Sequence, residues 1–237
     1  MKEIFSIDSA ISYQESNWKT RKKTVDMTGS NALPFLTISR EYGCLGYRVG
    51  VAVADIFNTK YHNEPRWTVF DRGILDHLMK DMNISRNLAE TLTDRARDSM
   101  DYFFKTTFEK YPPEALVYKK LVETIRIIAA NGHAVIIGRV GNVITRDLHL
   151  GYHVRLLASK EKKIDNITEQ FKVSRNEAKD ILAKKGEERE QFILKRLTVD
   201  MNNPSIYNLV INTSELSIED TASLILKGME CSGIIKI

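Results

Sequence analysis

The chain has 237 residues, enough for one α/β domain or a domain with a small appendage, and its 43% apolar and 28% charged residues are ordinary for a globular protein. A net charge of +4 suits an anionic small-molecule partner and does not call for nucleic acid. Two distant cysteines, Cys44 and Cys231, make neither a disulfide framework nor a metal cluster, no apolar run approaches the roughly 18 residues of a membrane span, and the N-terminus lacks a signal-peptide core, so the expectation is a cytoplasmic protein away from membranes.

Residues 1–33 read as a polar, irregular N-terminal extension with at most a short helix, carrying the basic patch Lys19, Arg21, Lys22 and Lys23. That patch lacks interleaved stacking aromatics, which speaks against nucleic acid. Phe35 to Ser39 is a first strand, and Arg48 to Asn58 a helix with Val49, Ala52, Val53 and Ile56 on one face. Trp67 to Phe70 is a second strand, closed by Asp71-Arg72-Gly73 and followed by a helix to about Met82. Ser85 is the expected N-cap of a helix through Asp98, and Met100 to Tyr111 another. Pro112-Pro113 interrupts, and Glu114 to Asn131 forms a long amphipathic helix ended by Gly132.

His133 to Gly138 is a continuous apolar run of the kind buried on both faces of a parallel sheet. Val154 to Leu157 follows as a strand, and Ser159 opens a helix. Ser174-Arg175-Asn176-Glu177 is a capping box for the next helix, and Glu187 to about Val199 is a charged helix. Asn202-Asn203-Pro204 is a turn, Leu209 to Asn212 the final strand, and Ser217 the start of the closing helix. Strands alternating with helices imply an α/β fold: a three-layer αβα domain over 34–237 around a central parallel sheet, with a helical insertion near 85–130 and a lid near 172–200. In such sheets ligands sit beyond the carboxyl ends of the strands, which directs attention to Arg40 to Gly46, Asp71-Arg72, Arg139 and Ala158-Ser159.

The stretch Ser39-Arg40-Glu41-Tyr42-Gly43-Cys44-Leu45-Gly46-Tyr47-Arg48 has the layout of a phosphate-binding loop without its lysine. The motif G-x-x-x-x-G-K-[ST] needs a Gly-Lys pair, and none occurs in the chain. With Gly46 as the last glycine, Tyr47 and Arg48 take the lysine and hydroxyl places; with Gly43 as the anchor, Gly46 falls at the lysine. What survives is a strand, two glycines and a helix N-terminus that favours an anion, though a plain βα turn accounts for the loop as well. Arg139, in Gly138-Arg139-Val140-Gly141, stands at a buried strand's end, where a guanidinium binds phosphate bidentately or pairs with a carboxylate. Asp71 either caps the following helix or serves Mg²⁺ or a proton. Lys184 to Arg196 mixes both charge signs, as a solvated helix does and as a phosphoryl-transfer lid does.

In order, Ile38-Ser39-Arg40-Glu41-Tyr42-Gly43, Val69-Phe70-Asp71, Val135-Ile136-Ile137-Gly138-Arg139, His153-Val154-Arg155-Leu156-Leu157-Ala158 and Tyr207-Asn208-Leu209-Val210-Ile211-Asn212-Thr213 resemble the cytidylate kinase-like family of P-loop proteins, relatives of the (d)CMP kinases. The resemblance runs from about Leu36 to about Lys227. It implies that the loop Arg40 to Arg48, with Gly43, Cys44, Leu45, Gly46 and Tyr47 between, holds the donor phosphates of ATP. It also implies that Asp71 and Arg139 face an acceptor monophosphate, that Lys163 lies where relatives often carry a basic residue opening the lid, and that Arg189 is a lid arginine. The departures are Leu45-Gly46-Tyr47-Arg48 where relatives carry the lysine, and Arg72 and His77 where they carry a serine or threonine and an arginine for the acceptor.

The expected activity is transfer of the γ-phosphoryl of ATP, with Mg²⁺, to a nucleoside monophosphate or similar small acceptor. Arg40 or Arg48 would replace the lysine, Arg72 would lie at the acceptor, and Arg139, Arg155 and Arg189 would bracket the transferring group. The alternative is a kinase-like fold that only binds a nucleotide or another anion.

Overall fold

A computed structural model describes residues 7–28, 32–61, 65–80, 87, 89–108, 116–194 and 200–235. Its five strands, β1 (Phe35–Arg40), β2 (Thr68–Phe70), β3 (Ala134–Ile137), β4 (Gly151–Leu157) and β5 (Leu209–Asn212), form one parallel sheet in the order β2-β3-β1-β4-β5. The helices flanking it are α1 (Ile7–Thr28), α2 (Gly46–Lys60), α3 (Arg72–Lys80), α4 (Asp94–Phe108), α5 (Leu116–Asn131), the single turn α6 (Gly141–Ile144), α7 (Lys160–Phe171), α8 (Arg175–Leu194) and α9 (Ile218–Cys231). The α/β class read from the sequence is the class observed. β1 leads off toward β2, whereas β3 and β4 lead off toward β5. The connections therefore part at the end of β1, and such a parting is where open α/β sheets take their ligands.

The described chain divides into two compact units: Met1–Leu36 with Ala54–Ile136 and Ile144–Gly151, and Thr37–Val53 with Ile137–Val143 and Tyr152–Ile237. In the first unit β2 pairs with β3 in the register Thr68 to Ala134, Val69 to Val135 and Phe70 to Ile136. All four residues of β3 are buried, as its unbroken apolar run requires. Phe57, Trp67 and His133 stack in sequence, with centroids 4.2 Å and 5.1 Å apart. Arg126, 2% exposed, grips the Asp147 carboxylate with both terminal nitrogens at 2.7 and 2.9 Å and lies 3.9 Å over the ring of Phe103. Burial acts to raise the Asp147 pKa, but the hydrogen bonds and charge of Arg126 outweigh it and hold the carboxyl below its ordinary value. Gly132 has φ +74, the left-handed cap expected after α5.

The second unit pairs β4 with β5, Val154 to Leu209 through Leu157 to Asn212. α7 is capped by Ser159, whose Oγ accepts from the N–H of Lys162 at 3.2 Å. The Ser174–Glu177 box is formed: the Ser174 N–H donates to Glu177 Oε2 at 2.8 Å, and the Glu177 N–H to Ser174 Oγ at 3.3 Å. α7 and α8 close on a small core of Ile164, Ile167 and Ala178, joined by Tyr42, Val173, Ile181 and Leu182.

Three local expectations change. Within the extension, Ile7–Thr28 is a 22-residue helix where at most a short helix is expected. Among its described side chains the buried stripe is narrow: Ile11, Gln14 and Trp18. Trp18 stacks on Phe70 with centroids 6.2 Å apart, and Gln14 Nε2 donates to Arg66 O and Thr68 Oγ1, both at 2.6 Å. In place of a helix running through to Asp98, the chain turns at Thr91–Thr93, and Thr93 Oγ1 accepts the N–H of Ala96 at 3.3 Å. Ser85 and Pro112-Pro113 lie outside the described residues. The capping-box helix and the charged helix are one continuous α8, because Gly186 sits inside it without ending it. Among the described residues no helix is long and apolar enough to cross a membrane.

Candidate phosphate-binding site

The exit of β1 is a tight turn. The N–H of Cys44 points back at Glu41 O, Gly43 has φ +87, and Leu45 has φ +50. Leu45 O accepts the N–H of Val49 at 3.1 Å and so begins α2. Gly46, Tyr47 and Arg48 then fill the first turn, whose N–H groups have no acceptor within the helix. Cys44 is buried at 2% exposure and takes part in no disulfide, while Tyr47 is 49% exposed.

Arg40 folds back over this turn. A Cβ on Gly46 would stand 3.0 Å from Arg40 Cγ and 3.2 Å from Cδ, so the arginine stem lies across the start of α2. The guanidinium reaches Gly138, where a Cβ would be 2.9 Å from Arg40 Cζ and closer still to a terminal nitrogen. This one side chain fills the space beside both glycines. Arg48 is exposed and follows Gly46 by about 200° around the helix, against a buried face formed by Gly46, Val49, Gly50, Val53 and Phe57. It therefore points away from the core side of α2.

The exit of β3 is strained. Gly138, Arg139 and Val140 have φ of 72°, 51° and 58° in succession. A β-branched residue at positive φ is a genuine outlier, and each such residue costs on the order of 1–3 kcal/mol. Backbone bonds hold the turn: the Gly138 N–H donates to Ile38 O, and the Gly141 N–H to Gly138 O, both at 2.9 Å. Asn142 follows, 1% exposed, accepting from Ser39 Oγ at 3.2 Å. Arg139 is half-buried in this turn.

α7 supports the β1 loop from another side. Lys163 Nζ lies 2.6 Å from Glu41 Oε2, and Asn166 Nδ2 donates to Gly43 O at 2.8 Å. Beneath, in β4, His153 Nδ1 is 2.8 Å from Thr37 Oγ1, and burial lowers its pKa to about 4.

The other expected residues are engaged locally. Arg155 donates to Asn202 Oδ1 at 2.8 Å and lies 5.8 Å over the ring of Tyr207. In the first unit Asp71 Oδ1 accepts the N–H of Ile74 at 3.0 Å, the cap reading of that residue. Arg72 pairs with Asp76 along its own helix at 3.3 Å. Arg189 is carried on α8, and its side chain lies outside the described residues. Sequence reasoning passed over Asn142 and Asn166. The only trace of Asn166 was an asparagine inside an otherwise good helix, where that residue is a poor helix former.

The model of the cytidylate kinase-like family matches residues 35–215. The chain belongs to that family. The match takes in the β1 loop, the β3 turn and α7, the elements that build this site. Among solved structures, an uncharacterized protein from Eubacterium ventriosum ATCC 27560 is similar with a TM-score of 0.63 at 18% identity, over 84% of this chain and 98% of that one. It shares the fold. No curated protein matches the sequence.

Proposed function

We propose that this cytidylate kinase-like protein is a phosphotransferase moving the γ-phosphoryl of ATP to a nucleoside monophosphate or a similar small acceptor. One observation carries the reading: Arg40 lies across Gly46 and reaches Gly138, which joins a cation, a helix N-terminus and a strained strand-end turn. The N–H groups of the first turn of α2 would hold donor phosphate oxygens, with Arg40 supplying the charge that the absent lysine supplies elsewhere. Arg139, in the adjoining turn, would take the acceptor phosphate, and Arg189 would approach from α8. Arg155, engaged with Asn202 and Tyr207, would hold the 202–207 segment. Positioning and charge neutralisation carry most of the rate in such transfers.

Among the described residues, no three or more His, Cys, Asp or Glu side chains gather as a metal site. Mg²⁺ would therefore enter as the ATP complex, held by phosphate oxygens and water. The reading includes a cytoplasmic location.

A coupled ATP-consumption assay across a panel of monophosphates, run beside thermal shifts with ATP, tests it. Turnover is expected with at least one acceptor. Arg40→Gln should lower kcat/KM about a hundredfold, and Arg48→Gln less than about twofold. The orientation of Arg48 and the missing lysine favour a second reading, a nucleotide-binding protein without turnover. ATP stabilisation with no turnover on any acceptor would select that reading, and no stabilisation by any nucleotide would reject both.

A further inference from the structure

A loop that receives phosphate must present N–H groups and turn its carbonyls aside, because a carbonyl oxygen in the cradle repels the anion. Of the carbonyls between the two loop glycines, Leu45 O takes the N–H of Val49 and Gly43 O is taken by α7. Asn166, 8% exposed and in mid-helix, donates Nδ2 to Gly43 O at 2.8 Å. Gly43 at φ +87 supplies the backbone conformation for this turn. Its missing side chain admits the α7 backbone, since a Cβ there would stand 3.0 Å from Lys163 O and 3.1 Å from Lys163 Cα. Two more contacts pin the same segment: Lys163 to Glu41 at 2.6 Å, and Tyr42 set into the α7–α8 core.

We infer that Asn166 is a positioning residue for the donor phosphate. It holds the Gly43 carbonyl toward α7 so that the N–H groups at the start of α2 face the anion, with Tyr42 fixing the loop on the hairpin. The inference rests on the reading that this loop holds phosphate. It also makes the α7–α8 hairpin part of the loop's frame.

The test uses the full chain and isothermal titration with tripolyphosphate and with ATP. Asn166→Asp replaces the donor with an oxygen facing the carbonyl and should weaken both ligands about tenfold; Asn166→Ala should weaken them about fivefold. In turnover, the KM for ATP should rise while the KM for the acceptor stays within twofold, a split that general destabilisation would not produce. Tyr42→Phe should bind as wild type and Tyr42→Ala more weakly, which keeps the inference testable if Asn166→Asp does not fold. Folded Asn166 variants with wild-type affinity for both ligands would overturn it. Wild-type protein that binds neither ligand would overturn it together with the reading beneath it. Wild-type protein that binds ATP without turnover leaves the titrations to decide the inference alone.

Discussion

The two strand exits beside Arg40 are built in opposite ways. The β3 turn is held through its backbone, with three residues at positive φ and bonds to its own Gly138 O and to Ile38 O of β1. The β1 loop is held by another element: its partners Lys163 and Asn166 lie 122 and 123 residues further along the chain. One side of the candidate cradle is thus fixed by backbone bonds, and the other by side chains of α7. On the proposed reading, α7 tunes donor affinity without disturbing the turn that carries Arg139.

The sharpest way to break the contrast is Gly43→Ala. The new Cβ would meet backbone atoms of Lys163 at a residue already at φ +87, so neither partner can move aside by a rotamer change. A left-handed alanine costs roughly 1–2 kcal/mol and overpacking roughly 1–3, giving about 4 kcal/mol together. Thermal or denaturant unfolding measures the loss, and hydrogen exchange should show α7 and α8 losing protection with the loop.

Acid attacks what the two exits share. His153 sits under β1 against Thr37, with its pKa lowered by burial from 6.5 to about 4. Below pH 6.5 the unfolded chain takes up a proton that the folded state refuses until about pH 4. Stability is therefore lost as pH falls through that window, by about 3 kcal/mol in all. Denaturant midpoints between pH 7 and pH 4 measure it, and His153→Gln should flatten the slope. If both exits loosen together in this range, their difference lies in the loops and not in the strands beneath.

Much of this was legible beforehand. The buried run of β3 and the capping signals at Ser159, Ser174 and Gly132 are local physics, and the sheet followed from them. The Arg40–Gly46–Gly138 contact was not legible, because which way an arginine folds depends on a strand nearly 100 residues away. Asn166 left almost no trace for the same reason. Helix α1 was missed because its buried stripe among the described side chains is a single line of Ile11, Gln14 and Trp18, with a glutamine whose Nε2 donates to Arg66 O and Thr68 Oγ1 where an apolar residue is expected.

A smaller effect tests the backbone-held side. In Gly138→Ala the new Cβ meets the end of the Arg40 side chain, which can swing away, so the stability loss should be nearer 2 kcal/mol and arise from φ +72. The functional loss should be large in comparison, because the displaced guanidinium no longer lies against the β3 turn beside Gly138. Hydrogen exchange in α7 and α8 should stay at wild-type levels, unlike in Gly43→Ala; equal loosening by the two variants would show that the exits are not independent.

Lys163→Met gives the smallest effect and the finest discrimination. The Lys163–Glu41 pair is partly open to solvent, with side-chain exposures of 17% and 35%, so its removal should cost less than about 1 kcal/mol of stability. Glu41 would then stand unpaired beside the phosphate site, and its charge would oppose the incoming anion through a short, partly buried path. Donor affinity should fall about threefold at low salt and recover toward wild type as added salt screens the carboxylate. Glu41→Gln in the same background removes the charge and should restore affinity without salt. Full restoration would mean that Lys163 acts through Glu41, whereas a deficit that persists in the double variant would mean that the lysine's own charge reaches the bound phosphate.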